Sequence, residues 1–275
     1  MTERVGGGRK YDPAGFCIYC GDSQSKLGEE HILPLGIAGN ALVFPAASCS
    51  TCAAVTGKVE NELLKQGLGL FRHRINSPTR RRKDRPAEPL VGIGRRLGDG
   101  PLQDSGERMA IPIMEVPVAY FCLKFLRLPG ILSGLLPSGE ITWEFWCRAW
   151  EAEAALQRVR PTQEGLHLGG LRPITFARFL AKVAHGYAVA EIGLESFEPL
   201  LLDLILGRSE EISHLIGGDG RDMPPMDEEF YLTSGWHEDV HGSFLVVVMR
   251  LYANLGAPWY SVVVGRKRET PEITK

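Results

Sequence analysis

Four of the six cysteines fall in two short pairs, Cys17-Ile-Tyr-Cys20 and Cys49-Ser-Thr-Cys52, and Glu30-His31 lies between them. Paired Cys-x-x-Cys knuckles are the spacing with which thiolates grip one metal ion, and four sulfurs close a tetrahedral shell that leaves no position for water. The ion is therefore structural, with zinc the first choice and iron the minor alternative. A segment of about fifty residues buries too little apolar surface to fold alone, so metal binding would supply the missing free energy. The platform it builds displays Glu30 and His31. A carboxylate is a hard oxygen ligand for Mg²⁺ or Mn²⁺, and an imidazole accepts a proton near neutral pH. Side by side they have the chemistry of metal-assisted phosphodiester hydrolysis.

The elements that must carry these residues can be read from pattern. Residues 1–15 are rich in glycine and charge without periodicity, which predicts a flexible arm. His31 to Gly36 reads as a short apolar strand stopped by Pro34, and Ala41 to Phe44 as a second strand before Pro45. Val55, Val59 and Leu63 recur every fourth residue and predict a helix running to about Lys65.

The motifs Cys-Ile-Tyr-Cys-Gly21, Glu-Glu-His-Ile-Leu-Pro34, Gly39-Asn40, Ser-Cys-Ser-Thr-Cys52 and Gly57-Lys-Val-Glu60 together resemble the zinc-containing HNH endonucleases of bacteria and phages, over residues 16–64. The resemblance implies a ββα-metal module in which Cys17, Cys20, Cys49 and Cys52 hold structural zinc. It also implies that Glu30 binds a catalytic Mg²⁺ or Mn²⁺ and His31 is the general base, with Asn40 in the place of the asparagine that helps to hold the base. The sequence departs from the family at Ala53, where an asparagine or histidine usually follows the last cysteine. Glu60 lies two turns further along the same helix, roughly 10 Å on, too far for a simple substitution; Glu60 and Asn61 read as solvated helix residues. A module that has lost catalysis and only binds nucleic acid or a partner is the alternative that Ala53 favours.

Around this module the chain divides into a 1–15 arm, a 16–76 zinc module, a proline-containing basic linker over 77–90 and a 91–275 α+β domain of unassigned role. In the linker, Arg80, Arg81, Arg82 and Lys83 are expected to contact phosphates, with Arg72, His73 and Arg74 extending the positive character. Residues 1–86 carry 13 Lys/Arg against 8 Asp/Glu and the rest 18 against 25, so the basic end is the cysteine end. Nucleic acid, DNA first, is the expected partner. No apolar run has the length of a membrane span and the start has no apolar export signal, which predicts a cytoplasmic chain.

In the larger domain, Met109 to Leu126 and Ile141 to Cys147 read as strand-rich and Ala149 to Val159 as helix-forming. Phe176 to Ile192 is the clearest helix, with a second over Phe197 to Leu206. Glu229 to Thr233, Phe244 to Tyr252 and Trp259 to Val264 predict an antiparallel meander beneath those helices. Cys122 and Cys147 are expected to be buried as small apolar residues. His185 is expected on the polar side of its helix, and His214, His237 and His241 as structural or surface residues.

Overall fold

A computed structural model describes residues 2–5, 8–38, 42–79, 82–96, 102–150, 164–167 and 170–268. It combines helices with small, mainly antiparallel sheets. The strands in chain order are β1 (Thr2–Val5), β2 (Arg9–Lys10), β3 (Leu27–His31), β4 (Leu42–Cys49), β5 (Leu90–Arg96), β6 (Leu102–Ala110), β7 (Val118–Phe125), β8 (Trp143–Trp150), β9 (Glu164–His167), β10 (Phe197–Pro199), β11 (Ile216–Gly217), β12 (Phe230–Asp239), β13 (Gly242–Leu251) and β14 (Tyr260–Lys267). The α-helices are α1 (Leu35–Ala38), α2 (Ser50–Asn61), α3 (Gly69–Arg74), α4 (Pro173–Ile192) and α5 (Leu202–Leu206).

Helix α4 organises the molecule. Pro173 suits its first turn, where an N–H would be unsatisfied anyway, and Gly193 ends it at φ 87°. From Thr175 to Val189 every residue but Arg178 is buried, because α4 packs on β13 and β14 on one side and on α2 and α5 elsewhere. A helix covered all round must satisfy its polar side chains internally. His185, expected on a polar face, is instead fully buried, its Nε2 2.7 Å from the carbonyl of Ile18. Burial pushes its pKa down to about 4, against the raising effect of that hydrogen bond.

The expected meander is present: β12, β13 and β14 are antiparallel neighbours in a six-stranded sheet ordered β1-β12-β13-β14-β10, with β11 also on β14. The arm expected over 1–15 is not free, since β1 pairs with β12 and β2 runs parallel to β4. Tyr11 is buried and donates its hydroxyl to Glu191 at 2.6 Å. The helix expected over Phe197 to Leu206 opens instead as β10, which pairs with β14, and is helical only over α5.

Three expectations in the cysteine segment shift for local reasons. The strand predicted from His31 ends there, since Pro34 opens the short helix α1. Strand β4 does not stop at Pro45 but runs to Cys49. The irregular pairing with β3 between Gly28 and Glu30, and Ala46 at φ 47°, absorb the missing N–H. Helix α2 begins five residues before Val55, where Cys49 caps it, and continues as a π-helical turn over Glu62–Gly67. Elsewhere, Cys122 is buried as expected, whereas Cys147 is exposed on β8. Ala149 belongs to β8, and most of the segment expected to be helical after it lies outside the described residues.

One buried cluster runs from Tyr11, Ile18, Ile32 and Phe71 to Leu180, Leu232 and Val264, so residues on both sides of the 77–90 segment share a core. Arg72, expected to extend a phosphate-binding surface, is part of that packing. It is 8% exposed, and its guanidinium donates to the carbonyls of Gly36 and Leu64 at 2.8 Å each and of Pro78 at 3.3 Å. A Cβ on Gly36 would stand 2.0 Å from an Arg72 nitrogen, which explains the glycine there. Arg74 likewise donates to Val116 at 3.0 Å. Arg72→Met should therefore destabilise the whole chain by roughly 2–4 kcal/mol, because buried carbonyls lose charged donors. Urea unfolding monitored by tryptophan fluorescence measures this, and a loss below about 0.5 kcal/mol, the scale of an ordinary surface substitution, would make the arginine a surface group after all.

Candidate functional site

The four cysteines converge. Their sulfurs all lie within 4.8 Å of one another, and Cys20 Sγ is 3.8 Å from Cys49 Sγ. Zinc–sulfur bonds of about 2.3 Å in a tetrahedron place sulfurs about 3.8 Å apart, so the residues fit a structural zinc. Two local structures aim them. In the first knuckle the N–H of Gly21 donates to the carbonyl of Cys17 at 2.8 Å, and Gly21 supplies the φ of 75° that turns the chain. In the second, Cys49 is the N-cap of α2, with its sulfur accepting from the N–H of Cys52. Burial raises the Cys52 thiol while Cys52's own N–H lowers Cys49. Four such sulfurs become thiolates together only around a cation. Among the described residues this is the one cluster of three or more potential ligands.

A second feature is a buried charge cluster whose members come from three elements. Lys182, on α4, is 2% exposed, and its ammonium is 2.6 Å from Glu30 Oε1 on β3 and 2.7 Å from Glu60 Oε1 on α2. It also donates to the carbonyl of His31, and that of Ile32 lies 3.4 Å away. Burial alone would lower the pKa of Lys182, but the two carboxylates outweigh it and raise it, so the amine stays charged. For Glu30 burial is the larger effect and pushes its pKa up against the pull of Lys182. The Tyr19 hydroxyl is buried beside them, its pKa raised by burial and by the charges of Glu30 and Glu60.

Glu30 and His31 stand at the end of β3, and the Glu30 carboxylate is buried on Lys182 rather than open. His31 is partly exposed, with Nδ1 turned inward. Asn40 lies outside the described residues, as do Arg80 and Arg81. Arg82 opens a short 3₁₀ turn over Arg82–Asp84, and Lys83 is exposed. Ala53 points to solvent, whereas Glu60, expected to be solvated, turns inward beside the buried face formed by Cys52, Thr56 and Val59. Lys182 was missed from sequence. Its only trace is a lysine amid an otherwise apolar helical stripe, flanked by Ala181 and Val183.

A separate cleft of about 560 Å³ has Lys65, His73, Arg108 and Arg172 among its lining residues. The π-helical turn that follows Glu60 places Lys65 and Gln66 there. Arg172 is held by Glu62 at 2.6 Å and Arg108 by both oxygens of Asp104 at 2.9 Å.

Replacing Cys49 and Cys52 by serine should abolish metal retention and open the chain's first seventy residues to proteolysis, because the second knuckle also caps α2. Elemental analysis with limited proteolysis tests it; full zinc content in the variant would refute the four-sulfur assignment. No protein-family model matches the chain, and neither does any curated protein or solved structure.

Proposed function

We propose that the chain is a metal-dependent endonuclease of the HNH type that hydrolyses DNA phosphodiester bonds, with His31 as general base and the acidic pair Glu30 and Glu60 as the metal-binding side of the site. The observation that carries this reading is the delivery of Glu60, by the helix that follows the second knuckle, to the same nitrogen that holds Glu30. The antiparallel pair β3–β4 followed by α2 supports a ββα-metal module around it. Glu60 does not take the place left at Ala53, two turns earlier, but offers the helix's polar group at a different point, on the inward side.

Carboxylate oxygens are the hard donors that Mg²⁺ or Mn²⁺ takes, and the Glu60 side chain keeps 23% exposure through which an ion could reach it. Such an ion would stabilise charge developing on the scissile phosphate. The chain's own part is to hold His31 at the strand end, where its ring accepts a proton from attacking water, and to keep the site rigid through the Lys182 contact to the His31 carbonyl. Lys83 and the cleft near Lys65 offer cations to the rest of the backbone, a sequence-independent attraction.

The second reading, a zinc-stapled module that binds nucleic acid or a partner without cutting, is favoured by one observation: Glu30 already has a counter-ion in Lys182. Plasmid cleavage separates the two. The expected result is nicking that requires Mg²⁺ or Mn²⁺ and falls by about 10²- to 10⁴-fold in His31→Ala, with zinc content and melting temperature unchanged. A wild-type protein inert across Mg²⁺, Mn²⁺ and Ni²⁺ would leave the binding module. A His31→Ala variant that cuts at the wild-type rate would move the chemistry elsewhere.

A further inference from the structure

We propose that Lys182 is the tethered cation of this site: its ammonium holds the place between Glu30 and Glu60 that a diffusible ion would otherwise take, so that Glu60, and not Glu30, is the carboxylate open to a divalent cation. This deepens the nuclease reading on which it rests, and narrows that reading's divalent-ion ligand from the acidic pair to Glu60.

The ammonium stands in a shell made entirely of oxygens: Glu30 Oε1 at 2.6 Å, Glu60 Oε1 at 2.7 Å, the carbonyl of His31, and the carbonyl of Ile32 at 3.4 Å. An all-oxygen shell of carboxylates and carbonyls is what a hard metal ion collects. An ammonium has three donors, and these four acceptors occupy them. The charge count is the second step. Two carboxylates and one ammonium leave one negative charge, enough to attract a further cation but not to make the position between the carboxylates vacant. Exposure decides where that cation arrives, since the Glu30 side chain is 7% exposed and that of Glu60 23%.

Position is fixed by packing rather than by the pair itself. Lys182 projects from a helix buried on nearly every face, so its backbone cannot swing the amine out to solvent. One turn further on, Gly186 faces Ile32 on β3's continuation, within ordinary packing distance, so that helix and strand are in contact beside the lysine. Lys182 is thus a positioning residue. It holds two carboxylates at fixed spacing, and through the His31 carbonyl it fixes the backbone that bears the base.

The test is Mn²⁺ binding to the zinc-loaded full-length chain, followed by the paramagnetic resonance of free Mn²⁺, which needs no turnover. Glu60→Gln should weaken binding by about tenfold or more, whereas Glu30→Gln should change it less than about threefold. Lys182→Met should bind Mn²⁺ on the order of tenfold or more tightly, since the fixed charge is gone, and Glu30→Gln in that background should remove the gain. Glu30→Gln weakening the wild-type protein as much as Glu60→Gln would overturn the proposal. So would Lys182→Met and its Glu30→Gln double variant binding alike. If the wild type binds no Mn²⁺, the divalent-ion part of the nuclease reading fails, while a Glu30-dependent site appearing in Lys182→Met still supports the tethered cation. Should Lys182→Met not fold, the comparison of Glu30→Gln with Glu60→Gln in the wild-type background decides alone.

Discussion

A lysine ammonium buried to 2% exposure is the constraint around which the other parts are arranged. Removing such a charge from water costs several kcal/mol even after relaxation, and only close counter-charges and satisfied hydrogen bonds offset that cost. Lys182 finds them by drawing three elements to one point: β3 through Glu30 and His31, α2 through Glu60, and its own helix α4. Hydrophobic packing would be served as well by a leucine there. That the chain keeps two acids and a base in its core instead argues for use rather than for stability, because pairs of this kind are often no better than apolar replacements for holding a fold together.

The four-cysteine site and the lysine divide the work of placing the site. The four sulfurs fix the start of α2, since Cys49 is at once ligand and helix cap. From Cys52 to Glu60 the helix rises about 12 Å and turns slightly more than twice, which sets the face on which Glu60 emerges. The four-sulfur site therefore sets the geometry of the charge cluster from about two helical turns away. Helix α4 does the complementary task from the other side, and its Arg172 and Thr175 also hold Glu62, on the π-helical turn just after Glu60. Both ends of that stretch are thus tied to a single rigid helix.

How much of this the sequence disclosed depends on whether the information was local. The knuckles, the Glu30-His31 pair, the long helix and the C-terminal meander follow from spacing and periodicity, which act over a few residues. Glu60 was visible but misjudged, because a helix residue next to a buried face reads as solvated until the partner across from it is known. Lys182 was invisible as a site residue: its counter-charges lie more than one hundred residues away in sequence, and no period or motif joins them. The basic residues before the linker show the converse. Arg72 and Arg74 belong to a cationic run by composition, yet both donate to main-chain carbonyls, Arg72 from the interior and Arg74 half-buried. Positive charge in a sequence measures supply, and only packing shows how much is left for a partner.

The same reasoning bears on the shared core. A zinc-stapled segment of this size needs its metal to fold, and metal binding is usually sufficient for such a module to stand alone. Here one of the two carboxylates on Lys182, that of Glu30, is buried to 6% exposure, and the cation that compensates it belongs to α4. Separated from α4, Glu30 would lose that partner and the apolar residues Ile18, Ile32 and Phe44 would lose cover they share in the common cluster. The site is consequently a property of the joined chain: the cysteines make a platform, but the electrostatics that give Glu30, His31 and Glu60 their arrangement are completed only when the long helix is seated on it.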